Sequence, residues 1–130
     1  MVDSNVILDV ASDDADWIDW SASMLAAAAQ KGRLVINPLI YAEVSCGFDR
    51  IELLDEAVPP EYFVREAVPW SAAFLAGKVF LKYRRSGGSR PAPLPDFYIG
   101  AHAAVAGYTL LTRDARRYRT YFPKLQILAP

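Results

Sequence analysis

The fold is decided by residues 93–114, which read Pro-Leu-Pro-Asp-Phe-Tyr-Ile-Gly-Ala-His-Ala-Ala-Val-Ala-Gly-Tyr-Thr-Leu-Leu-Thr-Arg-Asp. From Pro95 to Ala106 almost every residue is apolar or small, which predicts a helix that is buried nearly all round. Pro95 suits the first helical turn, and Gly107 suits the stop after the last one. Asp96 then lies in the first turn, where free amides and the helix dipole favour an ionised carboxylate.

The next run, Tyr108 to Thr112, is short, β-prone and apolar on both faces, which predicts an interior parallel strand. Asp114 follows that strand directly. Two acids therefore flank one buried helix and strand. For an isolated acid, a helix cap or a turn residue is the simpler interpretation. Whether these two acids are structural or functional therefore depends on the rest of the chain.

Composition indicates one domain over residues 1–130, because no composition break divides the chain. Hydrophobic residues make up 53% and charged residues 22%, and no apolar run approaches the roughly twenty residues of a membrane span. The N-terminus has neither the basic region nor the apolar core of a signal peptide, so we expect a cytoplasmic protein. The single cysteine, Cys46, agrees with a reducing compartment and is expected to be a small buried residue.

Charge divides the chain in two. Residues 1–77 hold 4 Lys or Arg and 13 Asp or Glu, whereas residues 78–130 hold 10 Lys or Arg and 2 Asp or Glu. A basic half favours a polyanionic partner, although a solvated surface is the simpler alternative.

The remaining elements follow from apolar periodicity and from breaks at Gly, Pro and Asn. In the first part of the chain we predict a strand ending at Asp3, a short helix around Val6–Leu8, a helix to about Gln30, a strand Leu34–Ile36 and a helix after Asn37-Pro38. In the rest of the chain we predict a short helix 49–57, an extended segment 62–68, a helix from Trp70 or Ser71 to Arg85, a flexible loop 86–93 and an edge strand Leu125–Leu128. This order predicts a three-layer α/β fold in which helices flank a central parallel sheet.

Two further acids lie at the same predicted edge of the sheet. Asp3 ends the first strand, and Glu43 lies on an apolar helix face, where an unpaired charge is costly. Glu43 therefore needs a partner, either an arginine in a purely structural arrangement or a metal ion in a functional one. Asp3, Glu43, Asp96 and Asp114 can converge, and all-oxygen ligands select Mg²⁺ or Mn²⁺. Such ions activate water against phosphodiesters, so the pattern predicts a metal-dependent nuclease.

Four segments taken together resemble a known family: Val2–Ile7, Asn37–Glu43, Leu94–Ala103 and Leu111–Asp114. They are similar to the PIN-domain ribonucleases, specifically the VapC-type toxins of toxin-antitoxin systems. Only two residues precede Asp3, which predicts a first strand shorter than is usual in that family.

The resemblance implies a PIN-like nuclease domain and a magnesium-dependent (or manganese-dependent) endoribonuclease. By position it assigns the acidic quartet to Asp3, Glu43, Asp96 and Asp114, with Asn5 and Thr112 as supporting polar residues. It also implies a homodimer and a cognate antitoxin protein that blocks the site.

Arginines near the acids are candidates for binding RNA phosphates. Arg113, Arg116 and Arg117 adjoin Asp114, and the loop 86–93 is expected to deliver Arg90 beside Asp96. A solvated face is the alternative. The one histidine, His102, is expected to be structural, because a lone histidine without an orienting partner is a poor general base.

Two other functions remain open: an RNA-processing PIN nuclease that is not a toxin, and a non-catalytic PIN-fold interaction module. A neighbouring antitoxin gene separates the first from a toxin, and loss of cleavage in EDTA excludes the second. We expect an antitoxin segment to lie along the N-terminal helices and to present an Arg or Lys to the acids. Its candidate apolar contacts are Trp17, Trp20, Met24, Tyr41, Phe48, Phe97 and Tyr98.

Overall fold

The structure is a computed structural model and describes all of residues 1–130. The helices are α1 (Ser4–Ala11), α2 (Ile18–Lys31), α3 (Pro38–Ser45), α4 (Ile51–Ala57), α5 (Trp70–Arg85), α6 (Pro95–Ala106) and α7 (Arg116–Tyr121). The strands are β1 (Leu34–Ile36), β2 (Phe63–Arg65), β3 (Leu110–Leu111) and β4 (Ile127–Leu128). The order of elements agrees with the prediction except at α7, where the sequence suggests only a short basic aromatic turn. β1 has the predicted bounds, and the other three strands are shorter than predicted.

The strands are parallel and are joined through the N-terminal segment. β1 pairs with β2, and β3 pairs with β4. Val2 forms a parallel bridge with Leu111, and its amide donates to the Val35 carbonyl at 3.0 Å. The N-terminal segment thus lies between β1 and β3, which gives the order β2, β1, residues 1–3, β3, β4. The parallel sheet with its flanking helices is the predicted three-layer α/β fold.

The first strand is reduced to a single bridge residue, as its length predicts. The Asp3 amide donates to the Leu111 carbonyl at 2.9 Å, so Asp3 lies at the carboxyl end of this strand. Its side chain then caps α1 by accepting a hydrogen bond from the Ser4 amide. A capping carboxylate satisfies one of the free amides at a helix start. The shortness of the strand therefore places the acid directly at the turn from sheet to helix.

Helix α6 has the predicted bounds. Pro95 occupies its first position, and Gly107 ends it in the left-handed conformation with φ 71°, which favours glycine. Phe97 and Ile99 are fully buried, whereas the last turn is exposed. α6 packs against α3, α5 and α7. Its first turn, with Asp96, is therefore held at the same edge of the sheet as Asp3.

An aromatic cluster fixes the elements around the start of α6. The rings of Tyr83 on α5 and Tyr121 on α7 pack edge-on against Phe97, at centroid distances of 5.5 and 5.2 Å. Edge-to-face pairs at this spacing are favourable beyond their buried area. The carboxyl end of α5 and all of short α7 are thereby held close to Asp96.

The prediction that Cys46 is buried is wrong. Cys46 follows the last residue of α3 as its C-cap and is exposed, because the chain turns there toward Gly47 and leaves the core. The helices include none whose length and hydropathy suffice to cross a bilayer.

Candidate active site

Asp3 is the most enclosed of the four predicted acids, with 4% of its surface exposed. Its Oδ1 accepts from the Ser4 amide at 2.8 Å, and its Oδ2 accepts from Thr112 Oγ1 at 2.8 Å and Tyr118 Oη at 3.1 Å. Burial raises the pKa of this carboxyl, and the charge of Asp96 raises it further, while the hydrogen bonds act in the opposite direction. The site thus holds a carboxylate that is desolvated but well supplied with donors.

Glu43 reaches the same place from α3. Its Oε2 accepts a hydrogen bond of 2.8 Å from Ser4 Oγ. Burial raises its pKa, and so do the charges of Asp3 and Asp96, although the bond from Ser4 opposes them. No arginine pairs with Glu43, so the structural alternative of a salt bridge does not apply. The partner of this acid is a hydroxyl.

Asp96 carries the one ion pair made by the four acids. Arg117 Nη1 donates to its Oδ2, and Tyr118 Oη lies 3.5 Å from its Oδ1. Burial by itself lowers the pKa of Arg117, but the bond to Asp96 and the charges of Asp96 and Asp114 raise it on balance. Two consecutive residues of α7 therefore contact the acid at the start of α6.

Asp114 is the most open of the four. Its side chain is exposed and accepts a hydrogen bond of 3.2 Å from the Arg116 amide at the start of α7. Its own amide donates to Thr112 Oγ1, which in turn donates to Asp3. The structure therefore places Asp3, Glu43 and Asp96 close enough for their charges to interact. Hydrogen bonds through Thr112 Oγ1 link Asp114 to Asp3.

The predicted supporting residues lie among the acids. Asn5 Nδ2 donates to Asp3 Oδ2 at 3.3 Å and to Thr112 Oγ1 at 3.2 Å, while Asn5 Oδ1 accepts from the Arg113 amide at 3.0 Å. Thr112 is fully buried. Together they tie α1 to the segment after β3 and orient the Asp3 carboxylate.

Two residues of the site were missed from the sequence, Ser4 and Tyr118. Tyr118 is almost fully buried, and burial together with the charges of Asp3 and Asp96 raises the pKa of its phenol, so it remains a donor. Ser4 directly follows Asp3, which is a local signal that a hydroxyl lies near the acid. For Tyr118 the sequence shows only a basic aromatic turn.

The arginines are arranged differently from the prediction. Arg90 does not pair with Asp96; its backbone instead binds Arg84 and Tyr83. The loop 86–93 folds back on α5, and Arg117, rather than Arg90, lies beside Asp96.

Arg113 also points away from the acids. Its guanidinium lies 3.3 Å from Asp9 Oδ1 and 5.2 Å from the centroid of the Trp17 ring. Arg116 is exposed and its side chain makes no ion pair.

His102 lies apart from the acids, as expected. It is buried, and its Nδ1 is 3.2 Å from Asn37 Nδ2. Asn37 Oδ1 accepts from two amides at the start of α3, so the amide group turns its NH₂ toward the ring. Nδ1 is then the acceptor, and the proton is on Nε2, which lies 3.9 Å from Glu66 Oε1.

Phe97 does not serve as a contact for a partner, because it is fully buried. That prediction is wrong. Trp20 and Met24 are half-buried and pack against the core. Trp17 is also half-buried, and it contacts Arg113.

The ligand atoms that the four acids offer are oxygens, which suit a hard divalent cation. All are carboxylates, with hydroxyl and amide oxygens beside them, and none of the residues is a soft ligand. Their mutual charge also favours a cation. However, no three His, Cys, Asp or Glu side chains lie close enough together to hold one ion as the side chains stand. Ser4, Tyr118 and Arg117 satisfy the carboxylates instead.

The whole fold is similar to toxin-antitoxin complexes of known structure. The chain aligns over 100% of its length, and 97% of the other chain, with the VapBC2 complex of Rickettsia felis bound to a promoter DNA fragment, at TM-score 0.75 and 16% identity. It aligns with VapBC-1 of nontypeable Haemophilus influenzae at TM-score 0.73 and 20% identity, and with DNA-bound VapBC of Salmonella typhimurium at 0.68 and 19%. Each covers 99% of this chain and 96% of the other.

The sequence comparison gives the family directly. No curated protein sequence matches the chain. The model of the PIN domain family matches residues 1–123, which include every element that carries a predicted acid. The chain therefore belongs to the PIN domain family.

Proposed function

We propose that this chain is a divalent-metal-dependent endoribonuclease and the cytoplasmic toxin of a toxin-antitoxin pair. One observation carries the nuclease proposal. Three acids from separate elements, Asp3, Glu43 and Asp96, lie at the carboxyl edge of a parallel sheet, where burial and the neighbouring negative charges raise the pKa values of Asp3 and Glu43. Such a concentration of negative charge is costly to maintain and is typical of a cation site.

The residues that would hold Mg²⁺ or Mn²⁺ are Asp3, Glu43 and Asp96, with Asp114 at the open side. A bound ion would polarise a phosphate and lower the pKa of a water molecule. Asn5 and Thr112 orient Asp3, and Ser4 positions Glu43. Tyr118 keeps its proton and donates to Asp3, so it shields that carboxylate rather than accepting a proton from water.

RNA is the substrate that we propose, and the arginines of the basic half are its contacts. Arg116 is exposed beside Asp114 and its side chain makes no ion pair, so it is the clearest candidate. Arg113, Arg117 and Arg90 remain candidates, although the first two are engaged by acids.

A salt titration tests this assignment. Arg116→Ala should reduce the slope of log affinity against log salt by about one phosphate contact. Arg33→Ala, at the opposite edge of the sheet before β1, is the matched control. An unchanged slope for Arg116→Ala places that residue on a solvated face.

An antitoxin is the protein partner that we propose, because the similar structures are VapBC complexes. A partner's guanidinium or ammonium group is complementary to the acids. Inhibition should then compete with metal. Magnesium is titrated against a fixed concentration of antitoxin while RNA cleavage is followed, and an inhibition constant that does not rise with magnesium contradicts the competition.

A second copy of the chain is the other partner, and the outer face of α5 supports it. Trp70 is 92% exposed and Phe74 is 68% exposed, on the side opposite the buried Ala76 and Val79. Large aromatic side chains in water are typical of an interface. Sedimentation of the double variant Trp70→Ala, Phe74→Ala should show a loss of dimer, whereas Tyr62→Ala, which removes an exposed aromatic ring outside α5, should not.

The function as a whole is tested by RNA cleavage with the purified chain. Cleavage should require magnesium or manganese and stop in EDTA. Cleavage that persists in EDTA contradicts the metal-dependent chemistry, and absence of cleavage with any RNA and either metal supports the non-catalytic alternative.

A further inference from the structure

Arg117 has a position that surface solvation does not explain. Its guanidinium donates to Asp96 Oδ2 inside the acidic site, and its side chain is about half exposed, at 48%. It is the one cation that pairs with any of the four acids. The charge of Asp114 also acts on it.

The neighbouring residues hold this arrangement in place. Tyr118, the next residue of α7, is buried and donates to Asp3, while Tyr121 packs against Phe97. α7 is therefore fixed at both ends of its inner face, and Arg117 is presented to Asp96 by a rigid element rather than by a mobile loop.

We propose that Arg117 is an intramolecular counter-ion of Asp96 that a divalent cation has to displace. A guanidinium and a metal ion compete for the same carboxylate oxygens, since both neutralise the same charge. Arg117 thus weakens metal binding and stabilises the site until an ion arrives. Once released, its guanidinium lies beside the site and is available to an RNA phosphate.

This inference rests on the proposed metal site, and direct metal binding tests it. Mn²⁺ affinity is measured by calorimetry on the full chain without RNA, for wild type, Arg117→Ala and Arg116→Ala. Arg116 supplies the matched control, because it is adjacent, carries the same charge and makes no ion pair. Arg117→Ala should tighten Mn²⁺ binding by about two- to fivefold, which is the contribution of a partly exposed ion pair. Arg116→Ala should change it less.

Thermal unfolding gives a second readout. Without metal, Arg117→Ala should lower the midpoint, because Asp96 then repels Asp3 and Glu43 without compensation. Mn²⁺ should raise the midpoint of this variant more than that of wild type, and Arg117→Lys should restore intermediate behaviour.

The outcomes separate the inference from the function on which it rests. Wild type that binds Mn²⁺ as tightly as Arg117→Ala overturns the counter-ion role alone. If Arg116→Ala tightens Mn²⁺ binding as much as Arg117→Ala does, the counter-ion role is also overturned, because the loss of any nearby positive charge would then explain the effect. Absence of Mn²⁺ binding in wild type and in every variant overturns the proposed metal site itself.

Discussion

Ser4 Oγ donates a 2.8 Å hydrogen bond to Glu43 Oε2 and so joins the residue after Asp3 to the second acid of the site. The bond connects the first turn of α1 with α3, two elements that pack against each other. It gives the half-buried Glu43 a donor where no cation is present. The position of Glu43 relative to Asp3 therefore depends on a single hydroxyl.

Removal of that hydroxyl should affect the site more than the fold. Ser4→Ala should cost about 1 kcal/mol of unfolding free energy and should weaken Mn²⁺ binding, because Glu43 loses its orientation. Ser4→Thr keeps a donor and should restore metal affinity. Ser45→Ala, whose hydroxyl bonds only the backbone of its own helix, is the control. Equal metal affinity in Ser4→Ala and wild type contradicts a positioning role for Ser4.

Substitution by alanine should change the free energy of unfolding in opposite directions at two glycines. A Cβ at Gly100 on α6 would lie 2.3 Å from Phe122 Cε2, so Gly100→Ala forces the buried ring to move and should cost about 1–3 kcal/mol. At Gly77 on α5 nothing lies within 4 Å, and Gly77→Ala should add about 0.5–1 kcal/mol of helix stability. Urea unfolding measures both. A stable Gly100→Ala variant would show that α6 packs less closely than the structure indicates.

The ion pair between the buried Asp9 and the half-buried Arg113 should hold the segment between Thr112 and Asp114. Asp9 also accepts a bond of 2.7 Å from Ser21 Oγ, so it joins α1, α2 and this segment. Asp9→Asn should cost about 1.5–3 kcal/mol, as expected for a hydrogen bond to a charged group. A double-mutant cycle with Arg113→Gln should give a coupling energy clearly above zero. Additive single effects would show that the two residues act independently.

His102 should make stability depend on pH in a known direction. Burial lowers its pKa below the ordinary value of 6.5, although Glu66 partly opposes this. The unfolded chain therefore binds the proton more readily, and the stability contributed by neutral His102 is present above pH 6.5 and lost as the pH falls through the folded-state pKa. Urea unfolding of wild type and His102→Gln between about pH 7.5 and 5 should diverge at the acid end. Parallel curves would contradict the buried neutral ring.

The sequence predicts the framework well because its signals are local. Pro95 and Gly107 define α6, Asp3 and Asp96 occur where helices begin, and Glu43 lies on the helix that Asn37 and Pro38 start, so one edge of a parallel sheet can be expected to collect these acids. These signals depend on neighbouring residues and on the periodicity of helix and strand.

The contacts inside the site could not be predicted in the same way. Tyr118 and Asp3 are 115 residues apart, and Ser4 and Glu43 are 39 apart. Whether Arg90 or Arg117 reaches Asp96 depends on how the loop 86–93 and α7 fold back, which no local pattern specifies. The exposure of Cys46 likewise depends on where the chain leaves the core after α3.

The substitution that tests the acidic site with least disturbance is at Glu43. Asp3 Oδ2 accepts from three donors, so an amide there would face Thr112, Tyr118 and Asn5 with a donor of its own. Asp3→Asn should therefore lose stability as well as cleavage. Asp96→Asn should lose cleavage and release Arg117. Glu43 accepts one side-chain bond, which the carbonyl of glutamine can also accept.

The most direct measurement is the rate of RNA cleavage in magnesium by Glu43→Gln, beside Glu52→Gln as an exposed Glu-to-Gln control on α4. Thermal unfolding without metal is measured on the same samples. Glu43→Gln should cleave about a hundredfold or more slowly, because it removes ligand charge, and its midpoint should be equal to or above that of wild type, because repulsion within the site falls. Glu52→Gln should cleave at the wild-type rate, and its midpoint should not rise, because it removes a favourable charge from the first turn of α4. A Glu43→Gln variant that cleaves RNA at the wild-type rate would contradict a catalytic site built from these carboxylates.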